Sequence, residues 1–379
     1  MRRFYNKPLS FFITLLLFLV QFLMIPTTVS SSKLVPEDVS KLKSWVADNI
    51  NEFNKRRANI SQGIPRINLD MRLAKAEDMV KVITVAKDAS LADYQTITDA
   101  INSIPLHNKQ RTIIKISGGE YWEKITIECS KRFVTLYGDP VDMPKIVFNG
   151  TAEQYGTVYS ATVAVESDYF MAVNVIFANS APMPNVNITG AQAVAMRISG
   201  DKAAFHNCKF VGFQDTLCDD RGRHFFMNCY IRGTVDFIFG NGKSLYLNTT
   251  IESVAEGTGV ITAQGRENVA DNSGFTFIYC NITGIGNNTY LGRAWKERPR
   301  VVFAYTYMGH LINYEGWSTG KYPHRNETVY YGEYKCRGPG ASSSRRVRYA
   351  KLLSDEEAKP FLSMNYIKGN KWLIPPPKF

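Results

Sequence analysis

The chain has 379 residues, 45% of them hydrophobic and 21% charged, which excludes a mainly disordered polypeptide and allows one large domain or two ordinary ones. Six cysteines over this length exclude a disulfide-scaffolded miniprotein. Forty-five Lys+Arg against 34 Asp+Glu leave a net charge of +11, which favours a polyanionic partner, either nucleic acid or an acidic polysaccharide.

Met1 to Lys7 is basic, Leu9 to Ile25 is apolar apart from Ser10, Thr14 and Gln21, and the following Pro26 to Ser32 offers small residues for cleavage. This is the layout of a secretory signal over residues 1–31, and no later segment is apolar enough to span a bilayer. Removing Arg2, Arg3 and Lys7 with the signal takes three positive charges from the +11 and leaves +8. Seven N-x-S/T sequons, at Asn59, Asn149, Asn187, Asn248, Asn281, Asn287 and Asn326, permit glycosylation. A secreted, extracellular protein is expected, with no membrane contact after cleavage, and nucleic acid falls down the list of partners.

Val39, Leu42, Trp45, Val46, Ile50 and Phe53 recur at helical spacing and predict an amphipathic helix over 37–57. A second short helix is expected at 70–80 and a first strand at Val82–Ala86. Residues 32–81 are too few for a second core of ordinary size and read as a helical N-terminal arm on a single domain, 82–379. From Arg111 to about Met308, short Val/Ile/Phe/Tyr runs broken by Gly, Asn and Asp replace helical periodicity, so the body is all-β. The runs repeat. CKFVGFQD (208–215) aligns with CYIRGTVD (229–236) and then TTIESVAE (249–256), each preceded by an Asn (207, 228, 248). A loose repeat of 20–33 residues built of short strands indicates a stacked solenoid, and a parallel β-helix fits best.

In such a stack, residues one coil apart sit roughly 4.8 Å from each other. Asp215 and Asp236 hold equivalent places in successive coils, and Gln192 and Gln214 are about one coil apart, which predicts two carboxylates and two amides on one face. Cys208, Cys229 and Cys280 share the position that Thr249 fills between them and read as a ladder of small buried side chains; a Cys208–Cys229 disulfide stays open. There is no C-x-x-C, and the five histidines have no ligand spacing, so no metal is expected.

At these residues the chain resembles the plant-type pectin methylesterases (pectinesterases). The matching segments are GGEYWEKI (118–125), SATVAV (160–165), GAQAVAMR (190–197), GFQDTL (212–217), VDFIFGN (235–241) and LGRAW (291–295), in the family's order and over roughly 82–375. The resemblance implies a right-handed parallel β-helix, no cofactor, and methyl-esterified homogalacturonan as substrate in the cell wall. It implies Asp236 as nucleophile, Asp215 as general acid/base, Gln192 and Gln214 as oxyanion donors and Arg293 as partner of the nucleophile. Thr162 and Trp295 fall at substrate contacts, alongside Gln192 and Arg293. It also brings in proteinaceous pectinesterase inhibitors as candidate partners of a monomeric enzyme. Cys218 stands where relatives often have Tyr, Thr249 where many have Cys, and Ala294 where Pro is common. The inhibitor-like pro-region of many relatives has no counterpart in the short arm.

The roles have independent physical support. Two carboxyls one coil apart do not both ionise cheaply, and a guanidinium beside Asp236 would leave Asp215 as the protonated partner. Phe213, Phe239 and Trp295 adjoin the cluster and are candidates to stack on sugar rings. Three rival readings compete with this one. Gly316-Trp-Ser-Thr-Gly320 matches a serine-esterase elbow, but no helix and no correctly ordered Asp and His follow it, so it reads as a surface turn. Asp219-Asp220 with His224 suggests a polygalacturonase-type glycosidase, against a simpler reading as a solvated turn. A non-catalytic pectin-binding protein on the same scaffold is the third. Arg345-Arg-Val-Arg348 reads as a solvated loop.

Overall fold

The computed structural model describes residues 34–61, 69–185 and 188–379. The expected signal peptide and the sequon at Asn187 lie outside the described residues. Leu34–Phe379 form one compact unit in which the chain winds as a right-handed parallel β-helix. Each coil visits three parallel sheets in turn: sheet A of eleven strands, then sheets B and C of eight each. The repeat expected from sequence is the observed register. Lys209 pairs with Tyr230, Tyr230 with Thr250 and Thr250 with Asn281 along sheet B. One residue earlier, Cys208, Cys229, Thr249 and Cys280 form the buried ladder, and the six cysteines are free thiols.

The asparagines that precede each repeat are the A-to-B corners. Asn174, Asn207, Asn228 and Asn248 all have left-handed backbones, with φ of 56°, 51°, 55° and 50°. Asn is among the few non-glycine residues that tolerate this region, and it also ladders here. Asn207 Nδ2 donates to Asn174 Oδ1 at 2.9 Å, and Asn248 Nδ2 to Asn228 Oδ1 at 2.8 Å. Inside the coils, Phe205, Phe226, Tyr246, Phe277 and Phe303 stack with ring centroids 4.7, 4.4, 4.4 and 4.5 Å apart. Those intervals repeat the inter-strand spacing, so the aromatic column is a direct product of the parallel register.

The arm is shorter in its second helix than expected. Helix α1 (Leu42–Ser61) follows a 3-10 turn at Val39–Lys41, and α2 (Met71–Ala76) starts at an Asp70 cap; the first strand is Val80–Val85. Leu42, Trp45, Val46, Ile50 and Phe53 are buried, as their periodicity requires, against the outer side chains of sheet A and the C-terminal residues Phe361, Ile367 and Trp372. The pattern did not reveal α3 (Ile97–Asn102), whose Ile97, Ala100 and Ile101 close the first end of the coil interior. At the other end, Arg346 is not solvated as its basic run suggested. Its guanidinium donates to both oxygens of the buried Glu333 (2.9 and 3.1 Å), while Arg345 is exposed and stacks on Tyr314.

Candidate active site

The B-to-C corner carries the site, on the turns that feed the three-residue strands of sheet C. Leu217 pairs with Ile238, so Asp215 and Asp236, two residues upstream, are one coil apart and in register. Both adopt left-handed backbone, at φ 62° and 51°, a conformation that Asp accommodates better than most side chains. The backbone N–H of Asp215 donates to Val235 O at 3.1 Å and ties the two turns together.

Their surroundings separate the two carboxyls. Arg293, 57 residues beyond Asp236, donates Nε to both Asp236 oxygens at 2.7 and 3.0 Å, with Nη2 also bonded to Oδ2. Asp215 has no such partner. It is 7% exposed, its Oδ1 is buried without a hydrogen bond, and burial followed by the Asp236 charge pushes its carboxyl well above the ordinary value, against a smaller opposing effect of Arg293. A carboxyl in that position keeps its proton near neutrality, beside an ion-paired carboxylate.

Gln192 and Gln214 lie half-buried at the same corner, and Ala193 N donates to Gln214 O at 3.1 Å across the coils. Neither amide side chain has a hydrogen-bond partner among the described residues, which leaves their N–H donors open. Trp295 is 37% exposed, and its ring packs edge-on against the buried Phe239 at 6.1 Å. A side chain at Gly265 would press on that indole, since a Cβ there would stand 3.1 Å from Cζ3. Of the three aromatics singled out, Trp295 is therefore the exposed face and Phe239 its support; Phe213 is half-buried beneath Arg232.

Thr162 is fully buried, and its hydroxyl donates to Ala178 O at 2.8 Å, so its side chain braces the coil wall beside the corner. Its register explains this, because it shares an inward row with Thr216 and Phe237, both wholly buried. Cys218 likewise packs with Ala161, Ala164, Val194, Phe239 and Ala263 in an apolar floor under the corner, and burial raises its thiol well above the ordinary value. Ala294 N donates to Ser318 O at 2.9 Å, a bond that Pro could not make.

Arg325 was missed by sequence reasoning. Its Nη1 donates to Ala294 O and Trp295 O at 2.9 and 2.8 Å and its Nε to Glu297 at 3.0 Å, which pins the backbone between Arg293 and Trp295. Nothing in the chain signals this, because the contact arises from the next coil. Ser318 belongs to the last strand of sheet C; its Oγ accepts from Gly320 N at 2.9 Å, and no His faces it among the described residues. Asp219 is a correction. It is not in a solvated turn but wholly buried, accepting from Tyr246 OH at 2.7 Å and from His224 Nδ1. No group of three or more His, Cys, Asp or Glu among the described residues is arranged to hold a metal ion.

Comparison with known proteins bears on this arrangement. Residues 82–370 match the family model Pectinesterase. Among curated proteins, Putative pectinesterase 63 of Arabidopsis thaliana is 54% identical over 296 residues, 78% of this chain and 88% of that protein. Probable pectinesterase 50 of the same plant is 45% identical over 362 residues, 96% and 97% of the two chains. Among solved structures, a pectin methylesterase from carrot superposes with a TM-score of 0.71 at 32% identity, over 77% of this chain and 94% of that one. By this match and by the coil architecture it shares with these relatives, the chain belongs to the pectinesterase family and is a carboxylic-ester hydrolase.

Proposed function

We propose that the protein hydrolyses methyl esters of homogalacturonan to methanol and pectate, with Asp236 as nucleophile and Asp215 as general acid and base. The observation that carries this reading is the asymmetry of the pair: Asp236 is held by Arg293, while Asp215 is buried without such a partner and its carboxyl is raised by burial and by the Asp236 charge. The Asp236 carboxylate attacks the ester carbonyl, and the Gln192 and Gln214 amide N–H groups receive the developing oxyanion. Collapse expels methanol as Asp215 transfers its proton to the leaving oxygen, leaving an acyl anhydride on Asp236. Asp215, now ionised, takes a proton from water; the hydroxide opens the anhydride, and the product carboxylate departs. No step calls for a cofactor. Trp295 offers its exposed face to a sugar ring.

Secretion to the cell wall fits the basic chain and the exposure of Asn149, Asn248, Asn281, Asn287 and Asn326, five sequon residues. We read the enzyme as a monomer, with proteinaceous inhibitors as candidate partners. The test is methanol release from highly methylated pectin by purified protein and by Asp236→Ala. Release by the wild type and its collapse in the variant are expected. An unaffected variant would sink the nucleophile assignment. Chain shortening of de-esterified pectin without methanol would replace the esterase with a glycosidase.

A further inference from the structure

Sheet C has a second edge, opposite the one that carries Asp215 and Asp236, where its strands turn into sheet A. Here successive turns and the C-terminal segment enclose a recess of about 450 Å³, walled in part by Arg223, Lys243, Lys368, Asn241, Asn272 and Ser273. Three cations gather in it, and Arg300 stands close to Lys243. The carboxylates on the wall are Asp201 and Asp271. Asp201 is taken by Arg223, whose Nε donates to it at 2.9 Å with Nη2 alongside. Asp271 accepts from Asn268 N at 3.3 Å.

Lys243 is left without an acid. Its ammonium donates to the neutral Asn272 Oδ1 at 2.6 Å and lies 4.8 Å from the Tyr366 ring centroid, and it makes no ion pair among the described residues. Burial first, then Arg300, Lys368 and Arg223, push its amine down to about 8. Folding alone gains nothing from crowding like charges in a recess; Arg346 and Arg325, by contrast, face Glu333 and Glu297. An anion in the recess would relieve the crowding, and the Nδ2 groups of Asn241 and Asn272, which have no partner among the described residues, suit a ligand that also carries hydroxyls.

We propose that this recess binds the uronate carboxylates of de-esterified galacturonan, the product of the same enzyme. The proposal rests on the function argued above. Asn241 lies five residue steps beyond Asp236, through the strand Ile238–Gly240, so the recess lies within roughly 17 Å of the nucleophile along the backbone. A galacturonan lying across sheet C can then engage both edges. Its product stretch is held at Lys243 and Lys368 while a neighbouring ester occupies the catalytic corner.

Calorimetric titration with fully de-esterified galacturonate oligomers at low ionic strength tests this, using the mature protein and three variants. Lys243→Gln/Lys368→Gln should bind about tenfold more weakly, while Lys243→Arg and a surface control, Lys115→Gln/Lys209→Gln, should stay near wild type. Binding at pH 8 should also draw a proton onto the wild-type protein, because an anion raises the Lys243 amine, and the double pocket variant should lose that uptake. Equal affinity in wild type and pocket variant, or an equal loss in the surface control, overturns the site. Methanol release by the same wild-type preparation separates the two readings: its absence removes the esterase assignment, and the titration alone still judges the recess.

Discussion

The two edges of sheet C carry similar ingredients to opposite effect. At the B-to-C edge, Asp215, Asp236 and Arg293 leave hydrogen-bonding capacity over: a buried Asp215 oxygen without a partner, and two Gln amides whose donors face no protein acceptor among the described residues. Asp219, four residues beyond Asp215, is wholly buried and fully used together with His224 and with Tyr246 of the next coil. Asp219 accepts from both other side chains, and His224 also donates Nε2 to Gly200 O at 2.9 Å. Both ring nitrogens of His224 are engaged, and Asp219 raises its imidazole above the ordinary value, so the pair is closed to any guest. A structural cluster consumes every donor and acceptor it buries. The proposed catalytic cluster keeps some for a guest, so these two carboxylate clusters differ in what remains unsatisfied and not in which residues they contain.

The sharpest way to break that contrast is to truncate one acid on each edge. Asp236→Ala should lower kcat for methanol release by about 10³-fold or more, with only a modest loss of stability, because Arg293 stays partly exposed and Asp215 is relieved of the Asp236 charge. An unfolded Asp236→Ala would mean that this edge is structural too. Asp219→Ala should do the reverse. Stranding the buried His224 and Tyr246 without their acceptor costs about 3–5 kcal/mol in denaturant unfolding, while the folded fraction keeps its turnover. Loss of turnover without loss of stability there would erase the distinction.

Asp215→Asn should sharpen it, losing about 10²-fold in rate while gaining stability as pH rises. The sign follows from the raised carboxyl: ionising it inside the fold is costly, so the wild type loses stability from about pH 3.8 upward to its folded value, and the amide does not. A midpoint difference that stays flat with pH would refute this. The smallest effect is at His224, where burial lowers the imidazole but Asp219 and the Gly200 carbonyl more than restore it, leaving it raised. That pair stabilises fully below about pH 6.5, and its contribution fades as pH climbs through the folded value, which paired melts of wild type and His224→Gln would follow.

How far the sequence could be read depended on whether a contact repeats at coil spacing. Asn207, Asn228 and Asn248 marked the corners, and Asp215 with Asp236 marked the paired carboxyls, because both recur at 20 or 21 residues and one coil is one turn of a solenoid. Arg293 came only through family resemblance, since insertions between Asp236 and LGRAW obscure how many coils intervene. Thr162 sits at a matching motif yet points inward, and a motif does not say which way its side chains face.

From the sequence alone came the class of fold, the stacking register, and the carboxylate pair with its amides, all properties of local repetition. Tertiary structure alone decided which of these groups stay unsatisfied. It sealed Asp219 with a tyrosine 27 residues away, latched Trp295 through Arg325, and gathered Lys243 and Lys368 into one recess. Burial and hydrogen-bond partners depend on how many residues each loop spends between coils, and that count sets neighbours across the stack that no local pattern records.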